Sequence, residues 1–179
     1  MRIAFVLNDF RLSGGVNVVL QYASRIAEGN SHEVALVVRD DARYGWAERF
    51  LSHVEVIPLE ESKSHTFDIA VATYWETVLL LGHVHSQSFV WFCQLYEDRF
   101  FPDRNPNIAT MQIVGSLPIP AITEATWIKN LLMSENPDRS VELVLNGIDK
   151  DVFFPADTDD RTSDSFRVLI EGPLEPESK

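Results

Sequence analysis

The chain of 179 residues is poor in cysteine and in basic side chains. Its single cysteine, Cys93, excludes an internal disulfide, and its place in the apolar run 89–93 predicts a small core residue rather than a reactive thiol. The chain has 15 lysines and arginines against 27 aspartates and glutamates, so its net charge is −12. Nucleic acid is therefore not an expected partner, because neutralising its phosphates requires a basic surface.

Long apolar runs are also missing from the sequence. None approaches the ~18 residues that a membrane-spanning helix needs. The apolar run at 1–7 is shorter than a signal-peptide core and is followed at once by Asn8 and Asp9. We therefore expect a cytoplasmic protein.

Several signature motifs are absent as well. Asp40 and Asp41 follow the second predicted strand, roughly where a ribose-binding acid belongs, but no G-x-G-x-x-G precedes them, which disfavours a nicotinamide dinucleotide. Neither a P-loop nor a G-x-S-x-G nucleophile elbow is present. His83 and His85 have no cysteine or carboxylate cluster beside them, so we predict surface histidines and no metal site.

What the chain does have is a regular alternation of apolar runs and helical patterns. The predicted strands cover residues 3–7, 33–38, 54–59, 67–73, 88–92, 121–123 and 141–145. The predicted helices cover residues 16–27, 42–51, 76–81, 108–114 and 124–133, the last with Trp127, Leu131 and Leu132 on one side. This alternation predicts an α/β fold with a parallel sheet and helices on both faces. Ligands of such sheets bind at the carboxyl ends of the strands, so we expect the chemistry in the loops after residues 7, 73, 92 and 123.

The loop after the first strand contains paired glycines, Gly14 and Gly15, just before a predicted helix. Glycines let the backbone approach a ligand closely, and free amides at a helix N-terminus favour a phosphate. The other interpretation is a flexible turn that only starts the helix. The same segment supplies Asn17 as a candidate substrate-binding residue.

Two later loops combine aromatic and acidic side chains at strand ends. The first reads T-Y-W-E-T at 73–77 and supplies Trp75 and Glu76, and the second begins Q-L-Y-E-D at 94–98. Aromatic faces stack on sugar rings or bases, while carboxylates hold hydroxyl groups or act as general bases. The substrate-binding candidates are therefore Trp75, Glu76, Gln94 and Tyr96. The alternative for each is packing of the ring into the domain edge and exposure of the charge to solvent.

Taken in order, these segments resemble the N-terminal domain of a GT-B glycosyltransferase of the family 4 type. The matching segments are M-R-I-A-F-V at 1–6, S-G-G-V at 13–16, H-E-V-A-L-V at 32–37, F-D-I-A-V-A-T at 67–73, I-T-E-A-T-W-I-K at 122–129, L-N-G-I-D at 145–149 and F-F-P at 153–155. The segments T-Y-W-E-T at 73–77 and F-C-Q-L-Y-E at 92–97 further resemble a bacterial subgroup that includes rhamnosyltransferases of surface polysaccharide synthesis.

The resemblance implies a Rossmann-like domain that shapes the acceptor side of a cleft. The residues that it places there are Gly14 and Gly15 near the donor phosphates, and Gln94, Tyr96, Glu97 and Asp98 along the cleft. Many relatives carry a histidine in the loop after the fifth strand, and this chain has none between His85 and Lys179. Glu97 or Asp98 is then the candidate catalytic base.

The resemblance also implies a domain organisation. Residues 1–155 would be the acceptor-side domain, 156–165 a linker, and 166–179 the start of a truncated nucleotide-sugar-binding domain. The implied reaction moves a sugar from a nucleoside-diphosphate-sugar to a glycan or lipid-linked acceptor, with no cofactor and no obligatory metal. The partners would be that donor, that acceptor and the missing domain, with peripheral membrane contact in a longer protein. The 179-residue chain alone would be inactive. The alternative function is a stand-alone, non-catalytic sugar- or nucleotide-binding module.

Overall fold

The computed structural model describes residues 1–29, 31–42, 45–96 and 107–155. Within these ranges seven strands form one sheet in the order β3-β2-β1-β4-β5-β6-β7, and every neighbouring pair is parallel. The strands are β1 (Arg2–Leu7), β2 (Glu33–Val38), β3 (Glu55–Pro58), β4 (Thr66–Ala72), β5 (His85–Cys93), β6 (Ala121–Thr123) and β7 (Val141–Leu143). The strand order reverses between β1 and β4, and such a switch point opens a crevice at the carboxyl ends of the strands.

Helices and short 3₁₀ turns connect the strands. The α-helices are α1 (Gly14–Glu28), α2 (Trp75–Leu80), α3 (Ile108–Ser116) and α4 (Thr126–Glu135), and the 3₁₀ helices are Glu48–Phe50, Glu61–Ser64 and Leu81–His83. In the part of the chain that the structure describes, no helix combines the length and the apolar character that crossing a bilayer requires.

The sheet separates two apolar cores because successive side chains of a strand point to opposite faces. In β1, Ala4 and Val6 belong to the core on one face, while Ile3 and Phe5 belong to the core on the other. The first core is completed by buried side chains of α2, α3 and α4, and the second by the buried stripe of α1. The predicted parallel sheet with helices on both faces is therefore confirmed.

The structure departs from the predicted elements in two places. Of the helix predicted over 42–51, the described residues form only the 3₁₀ helix Glu48–Phe50. Helix α4 begins at Thr126 and buries Ile128 and Leu132, whereas Trp127 is 45% exposed. The prediction that Trp127, Leu131 and Leu132 lie on one side of this helix was wrong for Leu132, because five residues turn an α-helix about 140° past one full turn.

The chain divides into two compact units, Met1–Asn146 and Gly147–Lys179. The described part of the second unit, 147–155, contains a turn in which the carbonyl of Asp149 accepts hydrogen bonds from the amides of Val152 (3.3 Å) and Phe153 (2.8 Å). The predicted linker at 156–165 and the predicted start of another domain at 166–179 lie outside the described residues.

Candidate functional site

A cavity of about 540 Å³ lies at the carboxyl edge of the sheet, around the switch point between β1 and β4. Four strand ends and the first turn of α1 form its wall. The polar or glycine residues that line it are Asn8, Asp9, Ser13, Gly14, Gly15, Thr73, Tyr74, Gln94 and Glu124, with the indoles of Trp75 and Trp91 beside them. The cavity is lined by the loops that follow β1, β4, β5 and β6, which are the loops where the sequence predicts ligand binding.

The first turn of α1 forms one side of this cavity. Ser13 is the N-cap: its extended backbone ends the loop, and its hydroxyl accepts a hydrogen bond from the amide of Val16 at 3.2 Å. The first amides of an α-helix have no carbonyl partner within the helix and carry the positive end of its dipole. Gly14 and Gly15 therefore present backbone N–H groups without a side chain to cover them, as an anionic ligand would require.

Gln94 joins the end of β5 to this turn. Its side-chain amide donates to the carbonyl of Gly15 at 3.3 Å. A Cβ added to Gly15 would lie 3.4 Å from Gln94 Nε2, whereas a Cβ on Gly14 would meet nothing within 4 Å. The glycine at position 15 thus allows the close approach of Gln94, and Gly14 faces open space.

Three carboxylates line this cavity or accept a hydrogen bond from one of its lining side chains, and two of them are paired with arginines. Asp9 accepts from the backbone amide of Arg11 at 2.8 Å and lies 3.5 Å from its guanidinium. Glu76 accepts from the Asn8 side-chain amide at 2.9 Å and from Arg39 at 3.2 Å, so it braces the β1 loop from outside the cavity.

The third carboxylate, Glu124, follows β6 directly and precedes α4. The side-chain amide of Asn146 donates to it at 2.5 Å, and the Asn146 carbonyl oxygen accepts from the Tyr22 hydroxyl at 3.3 Å. The Tyr22 ring in turn meets Phe92 edge-on, with ring centroids 5.8 Å apart.

Two tryptophans border the cavity from the core side. Trp75 and Trp91 are almost fully buried, and the indole N–H of each lacks a hydrogen-bond partner among the described residues. The Asn8 side-chain oxygen is likewise buried and unpartnered among them. A buried polar group without a partner costs about 1–3 kcal/mol. These three atoms are inaccessible to solvent in this conformation, so they lie beside the cavity without being exposed to a ligand in it.

Tyr96 lies away from this cavity, although only one residue separates it from Gln94. Its side chain is buried, and its hydroxyl donates to the carboxylate of Glu135 in α4. The hydroxyl also occupies the space where a Cβ of Gly115 would stand. The β5 loop is thereby anchored to α3 and α4.

Arg139 completes this anchor. It is buried, and it donates to the carbonyls of Gly115 (2.6 Å) and Leu117 at the end of α3, where helix carbonyls lack partners. Burial lowers the pKa of Arg139 from its ordinary value, because desolvation disfavours the charged guanidinium, while Tyr96 and nearby groups act in the opposite direction.

The structure brings together some of the predicted site residues and separates others. Those that line the cavity are Gly14, Gly15, Trp75 and Gln94. Those outside its lining are Asn17, Glu76 and Tyr96, and the predicted catalytic pair Glu97 and Asp98 lies outside the described residues. The cavity also contains Asn8, Asp9 and Glu124, which the residue-level prediction omitted although each directly follows a strand. Their position after a strand was the signal that could have found them.

Two further features bear on the choice of site. A cavity of about 720 Å³ lies at the opposite, amino edge of the sheet and is lined by Arg2, Glu33 and Asp68 among others. We favour the carboxyl edge despite its smaller volume, because parallel sheets bind their ligands there. His83 and His85 are exposed, and the described residues contain no cluster of metal-ligating side chains.

Comparison with known proteins identifies relatives of the fold. No protein-family model matches the sequence, and no curated protein matches it. Among solved structures, Anabaena HepE in complex with UDP-glucose aligns with a TM-score of 0.63 and 11% identity over 85% of this chain and 45% of that one. The lipopolysaccharide outer core galactosyltransferase WaaB, in its apo form, aligns with a TM-score of 0.58 and 13% identity over 83% of this chain and 46% of that one.

The fold is that of a GT-B glycosyltransferase domain. The chain spans about half the length of the two structures that it matches, at 45% and 46%. The predicted fold class, a Rossmann-like parallel sheet with helices on both faces, is thus confirmed. At these identities the likeness concerns the fold, and the chemistry has to be argued from the cavity.

Proposed function

We propose that this chain is the acceptor-side half of a GT-B glycosyltransferase of the family 4 type. The full protein would move a sugar from a nucleoside-diphosphate-sugar to a glycan or lipid-linked acceptor, in the cytoplasm, during synthesis of a cell-surface polysaccharide. The observation that carries this proposal is the cavity at the switch point, walled by the first turn of α1 and the ends of β1, β4, β5 and β6. It stands in a fold shared with a UDP-glucose complex and with a galactosyltransferase.

The first turn of α1 would contribute electrostatically to the reaction. In the proposed reaction a nucleoside diphosphate leaves the sugar, and negative charge grows on its phosphate oxygens. The amides of Gly14 and Gly15 lie in the first turn of α1, at the positive end of the helix dipole, and both glycines line the cavity. They would stabilise this charge without an obligatory metal.

The remaining wall would hold the acceptor. Trp75 and Trp91 contribute apolar ring edges to this wall, and Gln94 contributes an amide held by its hydrogen bond to Gly15. Apolar rings with a few fixed polar groups suit a sugar, which has apolar faces and a rim of hydroxyl groups. Glu97 or Asp98 stays our prediction for the base, since both follow this wall in the sequence.

The segments T-Y-W-E-T at 73–77 and F-C-Q-L-Y-E at 92–97 support a narrower proposal, a transferase of the rhamnosyltransferase-like subgroup. The structure places Thr73, Tyr74 and Trp75 of the first segment and Phe92 and Gln94 of the second in the lining of the cavity. Residues that distinguish this subgroup would therefore contact the substrate.

A transfer assay with two forms of the protein tests the proposal. The 179-residue chain and the product of its full coding frame would each be given labelled UDP-glucose, UDP-galactose, GDP-mannose and dTDP-rhamnose with a lipid-linked acceptor fraction. We expect transfer by the full product and none by the chain alone. Transfer by the chain alone would refute the half-enzyme proposal, and a coding frame that stops at Lys179 would favour the non-catalytic binding module.

A further inference from the structure

Glu124 differs from Asp9, the other carboxylate that lines the cavity, in having no ion-pair partner among the described residues. Asp9 is paired with Arg11, and Glu76 with Arg39. Among the residues that the structure describes, Glu124 forms no ion pair, and its recorded partner is the neutral amide of Asn146. A carboxylate on a cavity wall that has no ion-pair partner can interact directly with a ligand in the cavity.

Hydrogen bonds through Asn146 orient the Glu124 carboxylate. Asn146 uses both ends of its amide, the nitrogen toward Glu124 and the oxygen toward the Tyr22 hydroxyl. Tyr22 is itself held in α1 with its ring against Phe92. Asn146 donates to Oε2 of the carboxylate, and Oε1 accepts no hydrogen bond from the described residues, so acceptor sites remain for a ligand.

The rest of the described wall adds no cation to this side of the cavity. The lining residues include Asp9 and Glu124 but no lysine, arginine or histidine. Among the described lining residues, the positive potential therefore comes from the first turn of α1, whose first amides have no carbonyl partner within the helix. A phosphate or carboxylate near Glu124 would meet an unscreened negative charge, whereas hydroxyl groups would find a charged acceptor.

Building on the proposed function, we propose that Glu124 is a specificity-determining residue that accepts hydrogen bonds from the hydroxyl groups of a neutral acceptor sugar and rejects anionic sugars. The Tyr22–Asn146–Glu124 chain holds the carboxylate in place. The site is thus divided, with the donor phosphates at the α1 turn and the neutral sugar ring at the Glu124 wall.

A titration with simple glycosides tests this division of the cavity. The amide NMR spectrum of the 179-residue chain would be followed with methyl glucoside, methyl galactoside, methyl mannoside and methyl rhamnoside as neutral probes. The methyl glycoside of glucuronic acid would be the anionic probe. The variants are Glu124→Gln, which keeps the shape and removes the charge, and Glu142→Gln. Glu142 lies exposed in β7 outside the cavity lining, so it is the matched control.

We expect at least one neutral glycoside to bind at least about fivefold more tightly than the glucuronide, since like charges a few ångströms apart near a protein surface repel by 1 kcal/mol or more. Glu124→Gln should reduce this preference to below about twofold, and Glu142→Gln should leave it unchanged. Thermal unfolding of each variant confirms that the folded state is retained.

The outcomes separate this inference from the function on which it rests. If neutral glycosides bind but Glu124→Gln keeps the preference, or if UDP-glucose shifts the cavity amides while no glycoside binds, the role of Glu124 is refuted and the proposed function stands. If neither UDP-glucose nor any glycoside perturbs the cavity amides of the chain, the role of Glu124 is refuted, and the transfer assay with the product of the full coding frame decides the proposed function separately.

Discussion

The side-chain amide of Gln94 donates to the carbonyl of Gly15 at 3.3 Å, and so ties the end of β5 to the first turn of α1. The two residues are far apart in sequence and meet because β5 and β1 flank β4 in the sheet. The contact narrows the space between the glycine turn and the β5 loop, on the edge where we place the ligand. A Cβ on Gly15 would lie 3.4 Å from the Gln94 nitrogen, in ordinary van der Waals contact with it.

Alanine at either glycine of this turn should weaken binding of UDP-glucose without lowering the stability of the domain. Neither Gly14 nor Gly15 has a backbone conformation that requires glycine, and alanine favours a helix by up to about 1 kcal/mol. Gly14→Ala and Gly15→Ala should therefore leave the free energy of unfolding unchanged or slightly raised. Both should weaken UDP-glucose binding about threefold or more, because a methyl group would cover the amides that face the phosphates.

The matched control for this pair is Gly82→Ala. Gly82 also has open space around its Cα but lies in the 3₁₀ helix Leu81–His83, outside the cavity lining. Urea unfolding and UDP-glucose titration would be measured for all three variants. Unchanged affinity in both Gly14→Ala and Gly15→Ala would refute the phosphate role of the turn.

Gly115 should tolerate alanine only if Tyr96 loses its hydroxyl. The Tyr96 hydroxyl fills the space of a Cβ at position 115, so Gly115→Ala should lower the free energy of unfolding by about 1–3 kcal/mol. Tyr96→Phe removes the nearest atom at the cost of the hydrogen bond to Glu135 and leaves the ring carbon Cζ and Glu135 Oε2 3.0 Å from that Cβ, so it should relieve most of the clash. In a double-mutant cycle followed by urea unfolding, the double variant should be more stable than the two single effects predict. Additive effects would show that the hydroxyl does not limit this position.

Arg139 should contribute strongly to stability without making it depend on pH near neutrality. Arg139→Ala removes charged hydrogen bonds to Gly115 and Leu117 at the end of α3, and should cost about 2–4 kcal/mol. Burial lowers the pKa of Arg139, so the unfolded state binds more protons than the folded state only in the high-pH range where arginine titrates. In that window stability would rise with pH.

The loss caused by Arg139→Ala should consequently be equal across about pH 6–9, where the guanidinium is charged in both states. Urea unfolding at several pH values measures it. A loss that varied through this range would show that another group titrates together with the removal of Arg139.

The sheet could be predicted from the sequence because buried parallel strands are continuous apolar runs. The structure reproduces the predicted bounds at Glu33–Val38 and Ala121–Thr123. Local sequence patterns predicted less well the positions of side chains that are determined by tertiary contacts. Trp75 was proposed to stack on a ligand, and the structure buries most of its ring in the core at the edge of the cavity.

The individual site residues were harder to predict for the same reason. Glu124 was included in a predicted helix over 124–133, yet α4 starts at Thr126 and leaves Glu124 at the strand end, where it lines the cavity. Tyr96 is only two residues from Gln94 in the sequence, but its hydroxyl donates a hydrogen bond to Glu135 of α4. No local sequence pattern indicates that contact. Sequence proximity predicted the edge of the sheet and did not predict which side chains turn into the cavity.

The most direct test of the account is the amide NMR spectrum of the chain during titration with UDP-glucose. We predict that the largest chemical-shift changes fall on Gly14, Gly15 and Gln94, and that Gly14→Ala reduces them while Gly82→Ala does not. Changes confined to the amino edge around Arg2 and Glu33 would contradict the assignment of the carboxyl-edge cavity as the ligand site. So would the absence of changes at Gly14, Gly15 and Gln94 when the product of the full coding frame is titrated with each of the four nucleotide sugars of the transfer assay.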